Sequence, residues 1–343
     1  TSVFFPVVWV LTYFSVDSFF IVSLSPENFN IIGCRVSGTT ASGKTTLFRQ
    51  FRRIGKCTPL ERKYYKNIIL YNLWEVLKAL RLACEELSID ISQQKSNFDV
   101  VSQKWSDDPL PAEAVAALKA LGDDTTIRDC LRTLQSVYVP QNIQFFLDSI
   151  KRFVGDDYIP SETDILHSYA STVGTDYATY KTPYALIKIT DVGGSAFCRR
   201  KWKNFYANTS LLIFVVDLAK FSKKYTTQMS TSIDEESVTV FSELSSNAIL
   251  KRAHFMIIFN KRDALEEQQP QLNAAPPGGT GHDEPTADRS ASLSMIRSEF
   301  LNQVTSRKIY QHTVSLLNRN NVESTIIESI NSIAKRNRIP LPT

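Results

Sequence analysis

Gly38-Thr39-Thr40-Ala41-Ser42-Gly43-Lys44-Thr45-Thr46 carries two glycines, a lysine and a hydroxyl at the spacing of a phosphate-binding loop. In such a loop the glycines let backbone N–H groups turn inward on phosphate oxygens, the lysine reaches the β and γ positions, and the hydroxyl coordinates Mg²⁺. A second segment, Asp191-Val192-Gly193-Gly194, offers a carboxylate that can hold the metal through water and a glycine N–H, at Gly194, that can sense a γ-phosphate. The third, Asn260-Lys261-Arg262-Asp263, ends in a carboxylate able to accept from guanine N1–H and its exocyclic amine, where adenine offers only an acceptor at N1. A buried polar group left unpaired by the wrong base can discriminate by roughly 10⁴-fold. Singly, each segment has an ordinary reading: a Ser/Thr-rich turn, a D-x-G-G turn, and a helix N-cap in a charged surface turn. Three in this order, each after a strand, point together to a guanine nucleotide with Mg²⁺.

The elements that must hold these segments are legible on either side of them. Ile31 to Ser37 reads as a strand feeding the glycine loop, and Leu47 to Ile54 as the helix that follows. From about Leu60 to Asp164 the period is helical: Ile69, Leu73, Val76, Leu80, Cys84 and Leu87 form one apolar stripe, with Glu75, Lys78, Arg81 and Glu85 on the solvated side. Shorter helices are expected at Ala112–Leu121, ended by Gly122, at Ile127–Val137, and at Ile143–Val154, ended by Gly155. Beyond Tyr180 the period becomes two. A strand at Ala185–Ile189 is followed by the fully apolar runs Leu211–Val216 and Phe255–Phe259, which suit a parallel sheet covered on both faces. Helical patterns at Ser237–Leu244, Leu293–Val304 and Val322–Ala334 alternate with them, as in a doubly wound α/β sheet.

The composition narrows the function classes. Lysine and arginine number 39 against 35 acidic residues, a net charge of +4 that makes no electrostatic case for nucleic acid. Cys34, Cys57, Cys84, Cys130 and Cys198 form no CxxC pair and have no histidine nearby, so they read as ordinary thiols in a reducing compartment. Val3 to Leu24 is almost entirely apolar and aromatic, broken by Pro6 and Asp17. Three readings compete for it: a membrane anchor, a buried strand pair, and a segment that is not native coding sequence. The last is favoured, then the anchor, because Thr1 is not an initiator Met, no basic region precedes the run, and Asp17 would sit mid-membrane. Gln268–Ser290, rich in Pro, Gly and Asp, reads as a mobile surface loop.

From Asn28 to Arg338 the chain resembles the alpha subunit of a heterotrimeric G protein, as a divergent member. The likeness rests on the three motifs, on the helical block between Thr45 and Asp191, on the run from Phe146-Leu147-Asp148 through Tyr158-Ile159-Pro160 to Asp164-Ile165-Leu166, and on the basic, Trp-bearing Arg199-Arg200-Lys201-Trp202. It implies a Ras-like P-loop GTPase domain, a doubly wound and mostly parallel sheet, with an inserted all-α domain. The resulting division is an apolar leader at 1–26, the first part of the GTPase domain at 27–59, the helical domain at 60–166, and the second part of the GTPase domain at 167–343. GTP or GDP as ligand, Mg²⁺, a βγ dimer, a G-protein-coupled receptor, an effector on switch II and the cytoplasmic face of the plasma membrane or the cytoplasm follow from the resemblance.

Residue by residue, the resemblance puts Ser42, Gly43, Lys44, Thr45, Thr46 and Gly194 on the phosphates, Asn260, Lys261, Asp263 and the N–H of Leu316 on guanine, and Thr45, Thr172 and, through water, Asp191 on the metal. Two family positions are substituted. Tyr169 stands where the family has its cis arginine, and Ser195 where it has the glutamine that orients the attacking water. An arginine finger is worth about 10³–10⁵ in kcat, so hydrolysis is expected to be slow. The alternative is a non-hydrolysing pseudo-GTPase that recruits a partner. A P-loop nucleotide kinase would lack N-K-x-D, and a decayed copy that folds poorly is the blandest reading. Val314-Ser315-Leu316-Leu317 replaces the family's second guanine loop, Thr1–Pro26 has no counterpart of the charged helix that docks βγ, and Pro340 and Pro342 interrupt the region that docks receptor.

Overall fold

The computed structural model describes residues 30–336, apart from 53–56, 104–109, 134–141, 173, 222–234, 265–285 and 305–306. Six strands form one sheet in the order β2-β3-β1-β4-β5-β6. They are β1 (Asn30–Ser37), β2 (Thr175–Lys181), β3 (Ala185–Val192), β4 (Leu211–Asp217), β5 (His254–Asn260) and β6 (Ile309–Thr313). All neighbours are parallel except β2, which runs antiparallel to β3 at the edge. The expected doubly wound, mostly parallel sheet is therefore the one that forms.

Every residue of β4 is buried, because alternate side chains enter two different cores. Leu211, Ile213 and Val215 face α1 (Lys44–Arg52) and the C-terminal helix, which runs as α11 (Arg319–Asn321), a π-helical turn (Val322–Ile327) and α12 (Glu328–Arg336). Leu212, Phe214 and Val216 face α9 (Glu235–Ser246) and α10 (Thr286–Leu301). There Phe300 is the hub of an aromatic cluster, its ring centroid 5.7 Å from Phe241, 5.7 Å from Phe221 and 5.8 Å from Phe259.

A third core belongs to the helical insert. α2 (Pro59–Glu86) starts at a capping box, with Thr58 and Glu61 satisfying each other's backbone N–H groups and Pro59 at the first position. Its stripe of Ile69, Leu73, Val76 and Leu80 packs with residues of α3 (Lys95–Ser102), α4 (Ala112–Asp123) and α6 (Ile143–Phe153), close to α5 (Thr125–Thr133). The chain returns to the sheet through α7 (Glu162–His167), where Asp164 accepts from both Arg152 guanidinium nitrogens at 2.6 and 2.7 Å and from Tyr158.

Three sequence expectations need correction. Gly122 does not end α4 but lies inside it: a Cβ there would meet Ile150 at 3.2 Å, so the glycine permits close approach to α6. β2 has no counterpart in the sequence reading, since its TDYATYK is polar and largely exposed, as an edge strand allows. Helix α10 begins at Thr286, inside the stretch read as loop, in a run rich in Ala and Ser; 265–285 lie outside the described residues. So do the apolar leader 1–26 and the tail prolines. Among the described residues no helix is long and apolar enough to cross a membrane.

Candidate nucleotide site

The three motifs meet at the carboxyl ends of β1, β3, β4 and β5, beside the point where strand order turns on either side of β1. Open α/β sheets take their ligands at such a point. Between β1 and α1 the loop doubles back with Gly38 at φ 144°, Ala41 at φ 60° and Gly43 at φ 107°. Gly43 has no substitute here: beyond its φ, a Cβ would lie 2.2 Å from Asn260 Nδ2. Lys44, buried at the start of α1, donates from Nζ to the Thr39 carbonyl at 2.6 Å. Burial pushes its pKa down to about 8, against the pull of Asp191. The Ser42 hydroxyl is buried without a hydrogen-bond partner, and Thr46 is half-buried on the first turn of α1.

Thr45, Thr172 and Asp191 converge. Thr45 Oγ1 lies 2.8 Å from Asp191 Oδ2 and 2.9 Å from Thr172 Oγ1. Asp191 is fully buried at the end of β3, its other oxygen, Oδ1, has no partner, and desolvation raises its pKa to about 6, opposed by the Thr45 bond and Lys44. Two hydroxyls and an orphaned carboxylate oxygen are hard donors that fit Mg²⁺ when phosphate and water complete its shell. Among the described residues no group of three His, Cys, Asp or Glu is placed to hold a metal by itself.

Gly194 lies directly against the phosphate loop. A Cβ on it would come within 2.4 Å of Lys44 Nζ and 2.6 Å of the Gly38 carbonyl. Ser195 follows as the N-cap of α8 (Ala196–Arg199), its Oγ accepting from Cys198 N–H at 3.3 Å. Arg199 donates to the Gly194 carbonyl at 2.9 Å and pairs with Glu236 on α9 at 2.6 Å, while Trp202 Nε1 donates to the Gly193 carbonyl. Tyr169 is about half exposed, at 49%, and is fixed through its main chain.

Asn260 joins the base segment to the phosphate loop. It donates from Nδ2 to the Ser42 carbonyl at 2.8 Å and accepts at Oδ1 from Leu316 N–H at 3.0 Å. Leu316 is thereby corrected: its N–H is directed to Asn260 rather than to a base oxygen, and its carbonyl accepts from Gln50. The physical reason is that the buried Asn260 amide needs both bonds satisfied. Lys261, at φ 65°, gives its ammonium to Asp217 Oδ2 at 2.6 Å. Asp263 keeps a buried Oδ1 with no partner among the described residues. Its charge reaches His167, whose ring stacks on Phe145 and whose pKa burial lowers.

Asp217, Gln50 and Asn72 escaped the sequence reading. Each had a signal: Asp217 is the one charge closing an apolar run, and Asn72 is a polar residue on the apolar face of α2, beside Leu73. Gln50 had none beyond its place on α1.

Comparison with known proteins places this arrangement. The family described as G-protein alpha subunit matches residues 28–334. The chain belongs to that family. A G(o) subunit alpha of Lymnaea stagnalis is 26% identical over 296 residues, covering 83% of each chain. A guanine nucleotide-binding protein subunit alpha of Emericella nidulans is 25% identical over 295 residues, covering 82% of each. The G(o) subunit alpha of Planorbella trivolvis is 26% identical over 296 residues, with 83% of each covered. As a G-protein alpha subunit the chain has a nucleotide-binding signalling role in a family of GTPases, built on a Ras-like domain with a helical insert.

Proposed function

We propose that this G-protein alpha subunit is a receptor-coupled switch that binds GTP and GDP with Mg²⁺ and hydrolyses GTP slowly. The observation that carries this reading is the junction of Asn260 with Ser42 beside the Thr45, Thr172 and Asp191 oxygens. It brings the base-reading segment and the metal donors to one loop. In the bound complex Mg²⁺ would neutralise charge on the β and γ oxygens. Lys44 and the 38–43 backbone grip the phosphates, Asp263 selects guanine, and the Gly194 N–H meets the γ-phosphate.

Slow turnover follows from Tyr169, which brings no positive charge, and from Ser195, whose short hydroxyl caps α8. That same capping bond favours a second reading, a non-hydrolysing module that recruits its partner through switch II. βγ, a receptor and an effector are the proposed partners, at the cytoplasmic face of the plasma membrane or in the cytoplasm. Equilibrium binding of a non-hydrolysable GTP analogue with Mg²⁺, followed by single-turnover hydrolysis, tests site and turnover together. Tight binding with hydrolysis far below the family's range supports the proposal; hydrolysis at an ordinary family rate contradicts slow turnover, and none at all selects the recruiting module.

A further inference from the structure

Tyr169 stands three residues before Thr172, and its main chain is held on both sides by one side chain of the helical domain. Asn72, midway along α2, donates from Nδ2 to the Tyr169 carbonyl at 2.8 Å and accepts at Oδ1 from the Tyr169 N–H at 2.7 Å. The amide is buried beside Leu73, so losing either bond leaves a polar group without its partner. Just upstream, Arg49 on α1 donates to the carbonyls of Ile165 at 2.6 Å and Ser168 at 2.8 Å. The chain entering the metal-side hydroxyl is thus gripped by one residue from each domain. Three residues span at most about 11 Å, so the clamp limits where Thr172 can go.

Resting on the nucleotide-binding reading above, we infer that Asn72 is a positioning residue of the nucleotide site. From the helical domain it holds Thr172 over Thr45 and Asp191, and it sets how long a bound guanine nucleotide stays. Because it grips only main-chain atoms, it acts whatever side chain stands at 169. Parting α2 from the Tyr169 main chain would break both bonds at once.

The test uses the full chain, a fluorescent GDP analogue with Mg²⁺, and amide hydrogen exchange at Tyr169. Asn72→Leu removes both bonds; Asn72→Asp keeps the acceptor for Tyr169 N–H but sets a carboxylate oxygen against the Tyr169 carbonyl. Leu118→Ala loosens the same helical core away from the clamp. Asn72→Leu is expected to release nucleotide about tenfold faster, as two lost hydrogen bonds predict, and to lose protection at the Tyr169 amide. Asn72→Asp should also release faster while keeping more of that protection. Leu118→Ala should stay near the parent in both readouts, and preference for guanosine over adenosine should be unchanged in all. Release from Asn72→Leu at the parent's rate, or equal acceleration by Leu118→Ala, overturns the inference. A parent chain that holds no guanine nucleotide overturns the proposed function itself, and that is visible before any variant is made.

Discussion

Thr45 Oγ1 donates to Asp191 Oδ2 at 2.8 Å across 146 positions of sequence, with Asp191 Oδ1 left buried and unpaired beside it. Desolvation holds the Asp191 carboxyl up at about pH 6, well above its ordinary range. The carboxylate is the form that holds a cation, so protonation competes with Mg²⁺ below that pH. Mg²⁺ affinity in the presence of GDP should fall up to about tenfold per pH unit below roughly 6. Asp191→Asn should weaken Mg²⁺ at pH 7.5 and flatten the dependence. Calorimetric titration of Mg²⁺ from pH 5 to 8 reads both; an unchanged slope in the variant would contradict the assignment.

Gly194→Ala places a methyl 2.6 Å from the Gly38 carbonyl and 2.4 Å from Lys44 Nζ. Lys44 can move, but the loop backbone cannot without cost, and overpacking of this kind costs about 1–3 kcal/mol. Because the clash lies where the Gly194 N–H is proposed to meet a γ-phosphate, binding of a GTP analogue should weaken about tenfold or more while GDP binding changes less. Parallel displacement titrations with the two nucleotides check this.

Tyr169→Arg with Ser195→Gln supplies the charge and the reach whose absence underlies the proposed slow turnover. Single-turnover hydrolysis should rise by orders of magnitude, up to about 10³–10⁵ if the arginine reaches its place. Losing the Ser195 cap should cost roughly 1 kcal/mol of stability, seen as a small fall in Tm. A double variant as slow as the parent would show that turnover is limited elsewhere.

Arg35, on β1, is 5% exposed, with Nη1 unpaired and burial lowering its pKa to about 10. Among the described residues it donates to the Thr209 hydroxyl at 3.4 Å and lies over the face of Phe205 at 4.3 Å, with Tyr177 and Tyr206 also within electrostatic reach. A buried charge with no carboxylate partner among the described residues is costly, so Arg35→Met should stabilise the protein by about 1–4 kcal/mol. Chemical unfolding of the two proteins measures it.

The strongest local signals were legible and correct in kind. The apolar runs of β4 and β5 required burial on both faces, and the α2 stripe required a helical core of its own; all three cores exist. Edge strand β2 was hidden because an edge needs little burial and leaves no apolar alternation to read. Gly122 misled because a glycine that ends a helix and one that lets two helices touch look alike in sequence. The site divides in the same way. Spacing gave the motifs, but which way a polar atom turns depends on distant partners. The Leu316 N–H is engaged by Asn260 and Lys261 by Asp217, and neither pairing is written in a local pattern. Asn72 shows the converse, since a lone amide on an apolar helical face is a detectable invitation to look for what it holds.

Competition between GTP and ATP for the purified chain in Mg²⁺, repeated with Asp263→Asn, tests the central claim most directly. Asp263 Oδ1, buried and without a partner, predicts preference for GTP by several orders of magnitude in the parent and a collapse of that preference in the variant. Equal competition by the two nucleotides in the parent would contradict a guanine site at this position.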